Sequence, residues 1–214
     1  MKKWMLIVMV LLLMPMVMAQ SGHLKLLAVK EEGDVQKGSI ADLFLEIKPG
    51  TGRVYIDTFP ATRVDTQITT RFARDIACNT LNIDCDSYDF FYRITADSAI
   101  IGGPSAGAGT ALLTVSLLEK TPLDESIAVT GTINPGGLVG SVGGLQEKIE
   151  AGAQAGLKKI LIPIGRRYLS NLDLNLSNGT NRSVDLVAFG KEKGVDVKEV
   201  ATLNEVFYEF TGRY

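Results

Sequence analysis

The sequence predicts a single α+β domain preceded by a short N-terminal appendage. Three observations point there: strand-type segments open the body, helical and strand-type segments alternate after them, and no internal repeat or linker interrupts residues 20–214. The 46% hydrophobic and 21% charged residues, with 22 glycines and 7 prolines, are the make-up of a folded chain rather than a disordered one. Residues 1–19 are read as a signal peptide or membrane anchor, and 20–214 as the domain.

Residues 24–30, 39–47 and 53–58 have strand composition, and Pro49-Gly50-Thr51-Gly52 between the last two suits a hairpin turn. In residues 67–79 the apolar Ile68, Phe72 and Ile76 recur every four positions with Arg71, Arg74 and Asp75 between them. This predicts an amphipathic helix with Asp65 as its N-cap. A strand over 91–96, a helix over 105–119, a strand over 126–130 and a helix over 145–155 follow. Residues 159–162, 184–189 and 195–200 read as strands and 203–210 as a closing helix.

The appendage has the marks of an export segment. Lys2 and Lys3 precede an apolar run over 4–18, and Ala19 supplies a small residue at the expected cleavage position before Gln20. The run is shorter than the roughly 20 residues a spanning helix needs and Pro15 interrupts it, which favours a cleaved signal over anchoring through residues 4–18. Either outcome places the body outside the cytoplasm, secreted or membrane-anchored. Asn175, Asn178 and Asn181 each begin an N-x-S/T acceptor pattern, which is either a glycosylation signal or a loop rich in Asn and Ser by composition. Cys78 and Cys85 are either a local disulfide or two buried thiols.

Counts exclude several classes. With 22 basic and 24 acidic residues the net charge is −2, and no basic run offers a footprint for nucleic acid. One histidine, His23, and two cysteines leave almost no material for a zinc site, so no metal or other cofactor is expected. Asp84, Asp86 and Asp89 lack the glycine and terminal glutamate of a calcium loop and read as a solvated turn.

The chemistry concentrates between Gly102 and Lys148. Gly103-Pro104-Ser105-Ala106-Gly107 sets a serine between glycines at a helix start, where backbone N–H groups of Ser105 and Ala106 can stabilise an oxyanion. The run from Ala106 to Ala111 is small for a helix interior. Each glycine there costs about 1 kcal/mol against alanine, which suggests close backbone approach. The stretch also fits G-x-S-x-G, the nucleophile elbow of α/β-hydrolases, but their histidine base follows the serine, and here none does. A lysine can replace it if burial keeps its amine neutral. Lys148, three residues after Leu145 and next to Ile149, lies in the apolar stripe of its helix; the alternative is a lysine snorkelling at the stripe's edge.

These residues, with Val129-Thr130-Gly131, Gly143-Gly144-Leu145-Gln146-Glu147-Lys148 and the segment from Ala155 to Pro163, resemble the proteolytic domain of Lon proteases over some sixty positions. The resemblance implies a serine endopeptidase in which Ser105 is the nucleophile, Lys148 the base and Thr130 the residue that positions the lysine. Its substrates would be peptides or unfolded proteins, and a ring-like homo-oligomer is its expected assembly. Thr132 departs from the acidic residue many members carry after T-G. Ala108 stands where a Walker A loop needs lysine, so ATP-independent action is expected. Pro104-Ser105-Ala106-Gly107-Ala108-Gly109-Thr110 also faintly resembles the phosphate loop of GHMP kinases, a reading that export argues against. The remaining alternative is a catalytically silent module that binds peptides or a partner.

Overall fold

The computed structural model describes residues 20–32, 35–97, 102–169 and 183–213. The expected signal or anchor segment and the acceptors Asn175, Asn178 and Asn181 lie outside them.

Strands β1 (Gln20–Glu32), β2 (Val35–Pro49), β3 (Val54–Phe59) and β4 (Tyr88–Ala96) form one sheet in the order β1-β2-β4-β3. Period-two patterning makes it one-sided: Ala41, Leu43, Leu45 and Ile47 of β2 are buried, while Asp42, Phe44, Glu46 and Lys48 between them are not. Each fully buried large apolar side chain on that inner face contributes about 1.5–3 kcal/mol. The hairpin is β1–β2, antiparallel from Gln20↔Ile47 to Glu32↔Val35, and not β2–β3 as the Pro-Gly turn suggests. β4 inserts between β2 and β3 and runs parallel to β3, so a helical crossover must join those two strands. The turn is diverted by β4 itself. Asp89 accepts from the N–H groups of Thr51 (2.8 Å) and Arg53 (3.0 Å), and Gly50 and Gly52 donate to the carbonyls of Ser87 and Tyr88.

The crossover is α1 (Val64–Leu81). Its buried face is Thr66, Thr70, Ala73, Ile76 and Ala77, whereas Ile68 is 62% exposed and Phe72 36%. The four-residue apolar period therefore meets the packed face only at Ile76. Small residues turn inward because α1 packs closely on α2 (Gly107–Leu118), which is itself built of Gly, Ala and Thr over its first turns. The N-cap is Arg63, with no side-chain cap bond, and Asp65 lies inside the first turn. After α1, Cys78 and Cys85 are joined in a disulfide with Cα atoms 6.0 Å apart, which fixes the helix end to the turn before β4. Asp84 accepts from Asp86 N–H in that turn, so Asp84 and Asp89 are turn-forming acceptors.

The second half carries β5 (Ile127–Val129), β6 (Thr132–Asn134), β7 (Leu138–Gly140), α3 (Leu145–Gln154), β8 (Lys159–Pro163), β9 (Tyr168–Leu169), β10 (Val184–Asp185), α4 (Leu186–Glu192), β11 (Asp196–Val200) and α5 (Leu203–Thr211). β11, β8 and β5 form a parallel sheet, whose buried middle reads as an unbroken apolar run, Ile160 to Pro163. β6 and β7 make a hairpin that composition does not announce. The strand expected over 184–189 ends after two residues. Asp185 accepts from the N–H groups of Val187 and Ala188 and so caps α4, turning the apolar stretch helical.

Candidate active site

Ser105 sits in a short 3-10 turn, Pro104–Ala106, that leads directly into α2. Entry to the turn passes through Gly103 at φ 97°, ψ 152°, a region closed to residues with a Cβ. Behind the turn, a Cβ added to Gly107 would come within 2.8 Å of the Ile133 backbone nitrogen, so the glycine lets α2 seat against β6. The small residues of this segment thus serve backbone approach, as their helix cost suggests. The turn is tied to the β5–β6 junction by two backbone bonds: Gly131 N–H donates to Ser105 O and Ala108 N–H donates to Gly131 O, both 3.0 Å.

Thr130 immediately precedes that glycine. It is fully buried, and its N–H donates to Leu161 O on β8, which extends the β5 pairing by one residue. Lys148, on α3, is 2% exposed and lies between Leu145 (1%) and Ile149 (0%) on the buried face. It does not snorkel. Its Nζ donates to Thr130 Oγ1 at 3.1 Å, and among the described residues no carboxylate pairs with it. Burial therefore pushes the Lys148 amine down from 10.5 to about 8, opposed in part by the negative charge of Glu147. The ordinary lysine would be almost wholly protonated near neutrality; this one holds a substantial neutral fraction.

A chain of contacts thus links the two ends of the candidate dyad. Ser105 is bonded through its carbonyl to Gly131, Gly131 follows Thr130, and Thr130 accepts from Lys148. The half-buried serine and the buried lysine flank one junction of the core. The N–H groups of Ser105 and Ala106 belong to the first positions of a turn, where helical partners are absent. Thr132, past the junction, accepts from Asn134 Nδ2 at 3.2 Å within the β6–β7 hairpin.

Other residues singled out by sequence lie elsewhere. His23 is on the outer face of β1, where its Nε2 meets Asp42 Oδ1 at 2.8 Å and its ring lies 4.7 Å from that of Phe44. A depression of about 760 Å³ opens on that face, lined by His23, Phe44, Tyr55, Phe91 and Arg93, but none of Ser105, Thr130 or Lys148 borders it. The Cys78–Cys85 disulfide lies at the far end of α1 from the serine turn. Among the described residues no group of three His, Cys, Asp or Glu side chains could hold a metal ion.

One contact escapes sequence reasoning. Asp65 Oδ2 accepts from Gly103 N–H at 3.1 Å, although the local pattern reads Asp65 as a helix cap. A longer-range bond of this kind, across 38 residues, leaves no periodic signal.

Comparison with known proteins bears on this region. Residues 75–180 match the family model of the Lon protease (S16) C-terminal proteolytic domain. The archaeal Lon protease of Methanothermobacter thermautotrophicus is 40% identical over 80 residues, 37% of this chain and 12% of that protein. Lon protease 2 of Bacillus subtilis is 46% identical over 63 residues, 29% of the chain and 11% of that protein. The Lon protease of Methanosphaera stadtmanae is 31% identical over 129 residues, 60% of the chain and 14% of that protein. The chain thus spans only a small fraction of the length of the relatives it matches. What it shares with them is a segment similar to the Lon proteolytic domain, and that segment contains Ser105, Thr130 and Lys148.

Proposed function

We propose that this chain is a serine endopeptidase with a Ser105–Lys148 dyad that hydrolyses peptides or unstructured proteins without ATP. The observation that carries the reading is the buried Lys148 amine, whose Nζ donates to Thr130 Oγ1 and forms no ion pair among the described residues; burial pushes it down to about 8 against the opposing charge of Glu147. A buried lysine in an apolar setting costs stability, and such a cost is typically retained where the neutral amine does work.

In the proposed reaction, Ser105 Oγ attacks the scissile carbonyl as its proton passes to the neutral Lys148 Nζ. The carbonyl oxygen becomes an oxyanion facing the Ser105 and Ala106 N–H groups, each worth about 3 kcal/mol in the transition state. The C–N bond then breaks, and Lys148 returns the proton to the leaving amine. Water repeats the sequence on the ester: it gives a proton to Lys148, releases the acid and regenerates the Ser105 hydroxyl. Thr130 fixes the amine's direction throughout.

Labelling tests the nucleophile without knowledge of the natural substrate. A serine-directed phosphonofluoridate should modify Ser105 alone, as read by tandem mass spectrometry, with a rate that rises with pH to a plateau above about 8. Labelling spread over several serines at one pH-independent rate would reject the activated nucleophile.

A further inference from the structure

The segment that opens α1 grips the two residues ahead of the serine turn. Asp65 is exposed, yet both its carboxylate oxygens are engaged: Oδ1 accepts from Thr66 N–H at 2.7 Å and Oδ2 from Gly103 N–H at 3.1 Å. The first bond fixes the rotamer that makes the second. Two residues earlier, the stem of Arg63 lies across Gly102, where an added Cβ would stand 2.8 Å from Arg63 Cδ and 3.2 Å from Nε. Arg63 occupies the N-cap position without capping, so this helix start forgoes the usual side-chain cap while its first acidic residue reaches out to a loop 38 positions away.

Gly103 needs such a hold. Its φ of 97° and ψ of 152° belong to backbone that only glycine occupies freely, and glycine loses more freedom on being fixed than any other residue. On the C-terminal side the turn is pinned by the two Gly131 bonds. On the N-terminal side, the Asp65 carboxylate supplies the matching restraint, and a charge-assisted bond to a backbone N–H is stronger than a neutral one.

We infer that Asp65 is a positioning residue for Ser105: by holding Gly103 N–H it sets the entry angle of the 3-10 turn and so the direction in which the Ser105 hydroxyl points. The inference rests on the Ser105–Lys148 reading. It assigns Asp65 no contact with substrate and no part in proton transfer.

The test compares the full chain with its Asp65→Ala, Asp65→Asn and Ser105→Ala variants. Two readouts are taken: cleavage of an unstructured protein over pH 6–10, and NMR amide exchange at Gly103. Asp65→Ala should lower kcat about 10- to 100-fold with KM changed less than about threefold. Its rise with pH near 8 should stay in place, and Asp65→Asn, which keeps an acceptor oxygen, should recover most of the loss. Exchange at Gly103 should quicken about tenfold in Asp65→Ala while amides in the middle of α1 stay unchanged. A kcat within twofold of the parent overturns the inference and leaves the dyad standing. A displaced pH rise also overturns it, because Asp65 would then act on the charge of Lys148. If parent and Ser105→Ala are equally silent, the dyad reading fails, and Gly103 exchange alone decides whether Asp65 holds the turn; unchanged exchange overturns it.

Discussion

A lysine ammonium gives up strong hydration when it is carried into a protein, and Lys148 receives one threonine hydroxyl in return. The consequence for pH is specific. With the amine depressed from 10.5 to about 8, the neutral fraction at pH 7 rises roughly 300-fold over that of an exposed lysine, and turnover should climb with pH through about 8. The stability consequence has the opposite sense from a salt-bridged lysine. The unfolded chain binds the proton more tightly than the folded one, so the penalty is fully present below about 8 and is relieved as pH rises from there toward 10.5. Replacement by an apolar side chain of similar length removes it. Lys148→Met should be about 1–3 kcal/mol more stable than the parent at pH 7, with the gap closing by pH 10.5, as measured by urea unfolding at both pH values. A variant less stable at both would show that the amine contributes net binding where it lies.

At the scale of elements, the face of α1 separates two kinds of signal. Periodicity places Ile68, Phe72 and Ile76 on one side, and only Ile76 is buried. Ile68→Gln should therefore change stability by less than about 0.5 kcal/mol, whereas Ile76→Ala should cost about 2–4 kcal/mol, both by urea unfolding. Equal losses would mean that the helix sits in the register its apolar period suggests. The sequence hid this register because the true packing face is made of Thr66, Thr70, Ala73 and Ala77, whose virtue is small size rather than hydrophobicity. The same holds for the sheet. Alternating burial in β2 was legible in residues 41–47, but the pairing order β1-β2-β4-β3 depends on Asp89 reaching back to the Thr51 and Arg53 amides, and no local pattern encodes that. Val184 and Asp185 read as strand until the aspartate's capping bonds start α4. By contrast, the Gly-Pro-Ser-Ala-Gly turn is legible because it is local, a composition that tight approach explains, whereas the helical period puts Lys148 in the apolar stripe but does not by itself decide between burial and snorkelling. The hold of Asp65 on Gly103 is not legible, since it joins two segments through space.

At the scale of the whole molecule, a mixed four-stranded sheet and a parallel three-stranded sheet share the fold with the serine turn, which is tied to the end of β5 where Gly131 meets both Ser105 and Ala108. The Cys78–Cys85 bridge ties the end of α1 to the entry of β4 and so to the sheet. Closing a short loop, it should contribute about 2–3 kcal/mol, seen as a lower urea midpoint in the reduced protein. An unchanged midpoint would make the bridge neutral for stability. We propose export from the cytoplasm, and intact-mass analysis of protein recovered from its native compartment should then show the loss of residues 1–19. A mass that retains them would favour anchoring.

The central claim is that a neutral, buried Lys148 activates Ser105. Its most direct measurement is cleavage of an unstructured protein by the full chain, without nucleotide, beside Ser105→Ala and Lys148→Arg, with products identified by mass spectrometry. The account predicts defined peptide products from the parent and none from either variant, since alanine removes the nucleophile and a guanidinium stays protonated at working pH. Turnover that persists in Lys148→Arg would contradict it.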